Sequence, residues 1–275
     1  MRNHEQSMSK LFIFFELLKN AIVRPKTILE LSEERTEVKR DENFRKHKYS
    51  FNIDSIDQFF EDKFPNIDQK DFENELKELD SYVNNFLKNL ETKKYPSKEK
   101  PYPVDYSINS DSRRFLYILC RIMRPENIIE TGVAYGLSSI YILKALNKNN
   151  FGTLHSIDSV FRPWQEKKMI GSIIPDELKK RWRFNFGSSN EKLEQVFNDV
   201  DDVQIFIHDS LHTYKNMMFE FDCAERNLNQ NGMIISDDVL DNDAFFDFTN
   251  KKGFENYLVK VKQDLGLGII IKNQI

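Results

Sequence analysis

From Asn127 onward, short β-branched or aromatic runs alternate with helical stretches, and this alternation constrains the fold more than any other feature of the chain. Parallel strands need a long crossover between them, and a helix is the element that fills it. The spacing predicts helix Ser112–Met123, strand Asn127–Thr131, helix Leu137–Leu146, strand Thr153–Asp158 and helix Pro175–Arg181. Strand Arg183–Phe186, helix Glu191–Phe197, strand Val203–His208, helix Tyr214–Leu228 and strand Met233–Ser236 follow. A helix over Ala244–Asn250 precedes two closely spaced strands, Tyr257–Val261 and Leu267–Lys272, read as an antiparallel pair. The expectation is an α/β fold with a doubly wound, mostly parallel, seven-stranded sheet.

The chain before this has a different texture. Residues 29–100 are rich in charge, Asn and Gln, with sparse apolar residues at helical spacing such as Phe59, Phe60, Leu76, Leu79 and Val83. The Pro-punctuated run Tyr95–Pro103 reads as a connector, which divides the chain into a helical N-terminal extension, 1–103, and a catalytic domain, 104–275. Near the start, Lys10–Val23 is an apolar helix-like run that Pro25 is expected to stop. It reads as a docking or oligomerisation helix, so a homo-oligomer is expected. The other reading is peripheral membrane contact through residues 10–26, with Lys10, Lys19, Arg24 and Lys26 facing anionic lipid.

Charge and cysteine content exclude several classes of partner. Lys+Arg 40 against Asp+Glu 44 gives a net charge of −4, which is not the footprint of a nucleic-acid binder. Cys120 and Cys223 lie in apolar periodic stretches and read as reduced core thiols. No apolar run reaches the ~20 residues of a membrane span, and Leu11–Val23 is broken by Glu16, Lys19 and Asn20. It also makes a poor signal peptide, so a cytoplasmic protein is expected.

Chemistry concentrates at strand ends. In Glu130-Thr131-Gly132-Val133-Ala134-Tyr135-Gly136-Leu137-Ser138, a buried strand runs into a glycine turn and a helix start, where backbone approaches a ligand closely. The glycines are spaced GxxxG, so the GxGxxG pyrophosphate fingerprint is incomplete. Glu130 before the turn and Asp158 at the next strand end favour an adenosyl ligand carrying a positive group, with Asp158 on the ribose. Asp209 and, 28 residues on, Asp237-Asp238 also end apolar strands. Three acids drawn to one edge repel unless a divalent cation sits between them, and oxygen-only ligands suit Mg²⁺ or Mn²⁺. His212, in the loop beside Asp209, is placed to take a proton from a hydroxyl. His208 and His155 read as buried, hydrogen-bonded residues, and Trp164 either stacks on a ligand or packs.

These residues resemble the metal-dependent O-methyltransferases among the class I S-adenosylmethionine-dependent methyltransferases, and most of all the branch that includes macrolide-sugar O-methyltransferases. The resemblance runs from Arg113 onward and rests on the glycine turn, His208-Asp209-Ser210-Leu211-His212-Thr213-Tyr214 and Ser236-Asp237-Asp238-Val239. It implies a Rossmann-like methyltransferase fold. It also implies that S-adenosylmethionine contacts Glu130, Gly132, Gly136, Ser138, Asp158 and Asp209, and that a metal is held by Asp209, Asp237 and Asp238. Asp238 stands where catechol-type members carry Asn, and His212 stands where they carry a Lys base; the sugar-modifying branch has a His there. Gly187-Ser188-Ser189 departs from the family at the adenine position, leaving Ser188 as the group able to hydrogen-bond there. The implied activity is methyl transfer to a hydroxyl of a sugar or other small-molecule or glycan acceptor, with loops around Asn242, Phe245 and Phe246 shaping the acceptor pocket. The competing readings are a NAD(P)-dependent oxidoreductase and a non-catalytic cofactor-binding scaffold.

Overall fold

The computed structural model describes residues 2–104, 108–262 and 265–272. Seven strands form one sheet: β1 (Asn127–Thr131), β2 (Thr153–Asp158), β3 (Trp182–Phe186), β4 (Val203–His208), β5 (Met233–Ser236), β6 (Glu255–Lys260) and β7 (Gly266–Ile271). Their order is β3-β2-β1-β4-β5-β7-β6, parallel through β5, with β7 antiparallel between β5 and β6. The expected doubly wound seven-stranded sheet is therefore present. Strand order reverses between β1 and β4, and that switch point is where a crevice opens beyond the strand ends.

Burial on both faces explains the apolar strands. Ile128, Ile205, Ile207 and Ile235 face a core with α5 (Ser110–Met123) and α6 (Leu137–Asn149), whereas Ile129, Phe206 and Ile234 face α7 (Ser189–Asp199), α8 (Tyr214–Asn227) and α9 (Ala244–Lys252). The period-two alternation thus feeds two cores rather than one core and solvent. Helices α3 (Ile56–Lys63) and α4 (Glu73–Glu91) join the first core: Phe59, Phe60, Leu76, Leu79 and Val83 pack in one cluster with Phe115 and Tyr117. Polar contacts reinforce them, with Arg114 Nη2 donating to Glu73 at 2.6 Å and Tyr117 and Arg121 meeting Glu75.

One expectation holds and one is corrected. The first helix stops before Pro25, as expected, and Pro25 itself opens a second helix. Helix α1 (Arg2–Val23) passes through Arg24 directly into α2 (Pro25–Phe44), because a proline in the first turn loses only an N–H that has no helical partner there. The segment Pro175–Arg181 is a succession of i→i+3 turns ending in a single 3₁₀ turn, Lys179–Arg181, rather than an α-helix. Its buried Leu178, with Ile173 and Ile174 just before it, plugs the β2–β3 crossover without completing a helical face. Among the described residues no helix is long and apolar enough to cross a membrane.

Candidate active site

A cleft of about 440 Å³ opens at the carboxyl edge of the sheet. Its floor is built from Gly132 and Ala134 after β1, Asp158 after β2, Ser188 after β3 and Asp209 after β4. Gly132 has φ +81°, and a Cβ there would lie 1.9 Å from the carbonyl oxygen of Asp209. Only glycine lets the β1 and β4 turns approach this closely. Asp158 Oδ2 accepts from Val133 N at 3.1 Å and Ala134 N at 2.8 Å, fixing the turn. Burial pushes its carboxyl up to about 6 despite these donors. Ser188 caps α7 in a reciprocal box with Glu191.

Glu130, Ser138 and Gly136 sit elsewhere than expected for cofactor contacts. Glu130 is fully buried beneath the turn and accepts from Ser138 Oγ (2.5 Å), Ser139 Oγ (2.7 Å) and Ser156 Oγ (2.8 Å). Burial raises its pKa, and the three hydroxyls oppose the rise. The carboxylate ties α6 to β1 and β2 and does not line the cleft, nor does Ser138. Gly136, at φ +93°, turns the chain into α6, where a Cβ would press on Gly171 Cα at 3.0 Å. Trp164 packs rather than stacking on a ligand: it is buried, donates from Nε1 to Pro101 O at 2.9 Å and lies against Phe12.

Beside the cleft, His212 stands between two acids. Its Nε2 is 3.8 Å from Asp209 Oδ1 and its Nδ1 3.5 Å from Asp238 Oδ2. Nε2 is buried without a hydrogen-bond partner among the described residues. Burial, reinforced by His208, lowers the His212 pKa to about 4, so the ring is a neutral imidazole near pH 7. Burial and then Asp238 raise Asp237 to about 8 and Asp241 to about 6, while burial, Asp237 and Asp238 hold Asp209 well above the carboxylate range. Such crowding of hard oxygen donors with an orphaned imidazole nitrogen fits a divalent cation. Among the described residues, the group of three whose ligand atoms lie within 4.8 Å of one another is His212, Asp238 and Asp241. Asp209 and Asp237 fall outside that tightest group. Asp237 is buried and takes a 3.4 Å contact from Ser112 Oγ.

A hub beneath the site orders this loop. Glu220, fully buried on α8, meets His208 Nδ1 at 2.6 Å and accepts from Thr131 Oγ1 (2.6 Å), Ser210 Oγ (2.7 Å) and Asn216 Nδ2 (3.0 Å). The His208 and His212 rings are edge to face at 5.2 Å. His155 is half-buried, 3.2 Å from Asn127 Oδ1.

Sequence reasoning missed the outer wall. Helix α2 closes the cleft through Lys26, Glu30, Glu33, Glu34 and Glu37. Glu37 Oε2 accepts from Thr213 Oγ1 at 2.8 Å, Asp41 Oδ2 from Tyr214 N at 2.7 Å, and Lys26 pairs with Glu191. The signal was available: Glu30, Glu33, Glu34 and Glu37 recur at helical spacing and so share one face. Asp241 was also missed, being three residues beyond the acid pair in a loop. The expected acceptor-pocket residues divide: Asn242 and Phe245 are buried, Asn242 donating to His212 O at 3.2 Å, whereas Phe246 stacks on His47 at 3.9 Å.

Residues 129–239, which contain the end of β1, all of β2, β3, β4 and β5, and every strand-end acid named above, match the family described as a methyltransferase domain. No curated protein matches the chain. Among solved structures, the SAH-bound methyltransferase PaMTH1 of Podospora anserina aligns with a TM-score of 0.54 at 13% identity, over 70% of this chain and 88% of that one. An O-methyltransferase from Bacillus cereus in complex with SAH aligns at 0.51 and 16% identity, over 80% and 97%. The O-methyltransferase TomG from Streptomyces achromogenes, in complex with SAM, aligns at 0.51 and 14%, over 62% and 83%. Residues 129–239 are therefore similar to a methyltransferase domain, and the chain shares the fold of these methyltransferase structures.

Proposed function

We propose that this protein transfers the methyl group of S-adenosylmethionine to a hydroxyl of a sugar or glycosylated small molecule, with His212 as base and Mg²⁺ or Mn²⁺ as cofactor. The observation that carries the reading is the neutral, half-buried imidazole of His212, its Nε2 buried, held between Asp209 and Asp238 beside the cleft. A neutral ring with an unpartnered nitrogen accepts a proton, and Asp238 is placed to stabilise the imidazolium that results. The hydroxyl oxygen forms a bond to the methyl carbon as the carbon–sulfur bond breaks. Sulfur keeps the electron pair, S-adenosylhomocysteine leaves, and the hydroxyl proton passes to His212. Charge on the sulfonium is lost as the bond forms, so the protein contributes chiefly by alignment and by excluding water. Asp158 and the glycine turn orient the donor, and α2 screens the cleft from solvent. A divalent ion held by Asp209, Asp237 and Asp238 would lower the pKa of an aliphatic hydroxyl, itself a weak acid.

One observation favours a variant of this reading. Because His212, Asp238 and Asp241 converge most tightly, His212 serves there as a ligand rather than as the base. Mn²⁺ titration followed by electron paramagnetic resonance separates the two. Loss of Mn²⁺ affinity in Asp237→Asn but not in Asp241→Asn supports the three-aspartate site, and the reverse supports the histidine site.

The primary test is calorimetric titration with S-adenosylmethionine, with and without Mg²⁺, using NAD⁺ as control, followed by methyl transfer to sugar hydroxyls. Micromolar binding of S-adenosylmethionine and turnover that falls at least about 100-fold in His212→Ala with unchanged donor affinity is expected. Binding of NAD⁺ alone overturns the reading in favour of an oxidoreductase. Donor binding without turnover on any hydroxyl favours a scaffold.

A further inference from the structure

Helix α1 carries an apolar stripe that none of the described residues covers. Leu11, Phe14, Phe15, Leu18 and Ile22 recur at three- and four-residue spacing, and their exposures are 56%, 55%, 59%, 50% and 85%. The opposite face is anchored to the fold: Asn20 is buried and donates to Pro163 O at 3.0 Å, and Arg24 Nη2 donates to the same carbonyl at 2.8 Å. The stripe is thus held outward on a fixed helix.

We infer that the occupant of this stripe is α1 of a second copy, packed antiparallel across a two-fold axis. The pattern is self-complementary. A two-fold placed between Glu16 and Leu17 sets Leu11 opposite Ile22 and Phe15 opposite Leu18, while Phe14 faces the aliphatic stem of Lys19, so the same patch meets itself with apolar pairs at its centre and ends, as an isologous interface requires. The five side chains present on the order of 500 Å² per copy, so a pair buries about 1,000 Å², the least that a specific interface needs. Charge disfavours an anionic membrane as the occupant. Arg24 and Lys26 are engaged within the fold, by Pro163 O and by Glu191, which leaves Lys10 and Lys19 beside the stripe. Stable electrostatic anchoring takes clusters of about four to eight such residues.

The pairing has a consequence for the cleft. Helix α1 runs directly into α2, and α2 is the outer wall of the cleft. A second copy seated on α1 holds that helical layer against the catalytic edge of the sheet.

Sedimentation velocity on the full chain tests the interface. The wild-type protein is expected to sediment at twice 32.7 kDa, and Phe15→Glu with Leu18→Glu at 32.7 kDa, with the dimer affinity lowered at least about 100-fold. Both residues are solvent-exposed, so an unchanged circular dichroism spectrum and a cooperative thermal transition confirm that the variant folds. A wild-type monomer at about 50 µM, far above a typical specific Kd, or a dimer indifferent to the double substitution, overturns the inference. Flotation of a wild-type monomer with phosphatidylserine vesicles overturns it as well, in favour of lipid. None of these outcomes depends on methyl transfer.

Discussion

His208 Nδ1 lies 2.6 Å from Glu220 Oε2, and both side chains are wholly buried beneath the carboxyl edge of the sheet. Burial alone would raise the Glu220 pKa, but the imidazole and the surrounding hydroxyl donors outweigh it and hold the carboxyl at about 2. The native state therefore keeps Glu220 ionised at pH values where the unfolded chain, near 4.5, has begun to take up a proton. A depressed folded pKa contributes stability above the unfolded value, and that stability is lost as pH falls from about 4.5 toward 2. Glu220→Gln is expected to flatten the acid limb of a stability-versus-pH curve measured by urea unfolding. It also replaces the charge-assisted contact to His208 with a neutral amide one, at a cost of about 1 kcal/mol at neutral pH.

The wall made by α2 should govern how long the donor stays bound. Glu37 and Asp41 fasten it to the first turn of α8 through Thr213 Oγ1 and Tyr214 N. Replacing both with alanine removes the fastening while leaving the sheet and both cores untouched. Dissociation of S-adenosylhomocysteine, followed by stopped-flow fluorescence, is expected to accelerate about tenfold, which corresponds to about 1.4 kcal/mol. An unchanged rate would mean that α2 packs on the cleft without closing it.

Neither cysteine should react in the native protein. Cys120 and Cys223 are free and buried, and burial pushes both thiols up, Cys223 to about 11 and Cys120 further. A thiolate is the reactive form, so a disulfide-exchange reagent is expected to titrate no thiol in buffer and both in guanidinium.

The centre of the sheet was legible because β1, β4 and β5 are buried on both faces and read as short apolar runs, so that they, like β2, begin and end at the expected residues. The Pro175–Arg181 segment misled because a proline start followed by one buried leucine looks alike in a helix and in a chain of turns. Asp209, Asp237 and Asp238 were recognisable at strand ends, where position follows from topology. Asp241 was not, since its approach to His212 depends on the path of a loop. Glu130 shows the converse limit: a strand-end acid beside a glycine turn looks like a ligand group, yet three serine hydroxyls, from Ser138, Ser139 and Ser156, surround it. Only the third dimension distinguishes the two.

Gly132 and Gly253 form a matched pair for separating backbone strain from steric exclusion. Both have left-handed φ, +81° and +66°. A Cβ on Gly253 would meet nothing within 4 Å, so Gly253→Ala should cost only the left-handed penalty of about 1 kcal/mol and leave donor binding intact. On Gly132 the same atom would lie 1.9 Å from Asp209 O and 2.9 Å from Ser210 Cα, and backbone cannot swing aside as a side chain can. Relief requires the β1 and β4 turns to part. That movement carries Val133 and Ala134 away from Asp158 on one side and displaces the loop bearing His212 on the other. Gly132→Ala is therefore expected to cost about 3 kcal/mol or more in thermal unfolding and to abolish measurable S-adenosylmethionine binding by calorimetry. Equal behaviour of the two variants would show that the close approach of the turns is dispensable for the cleft.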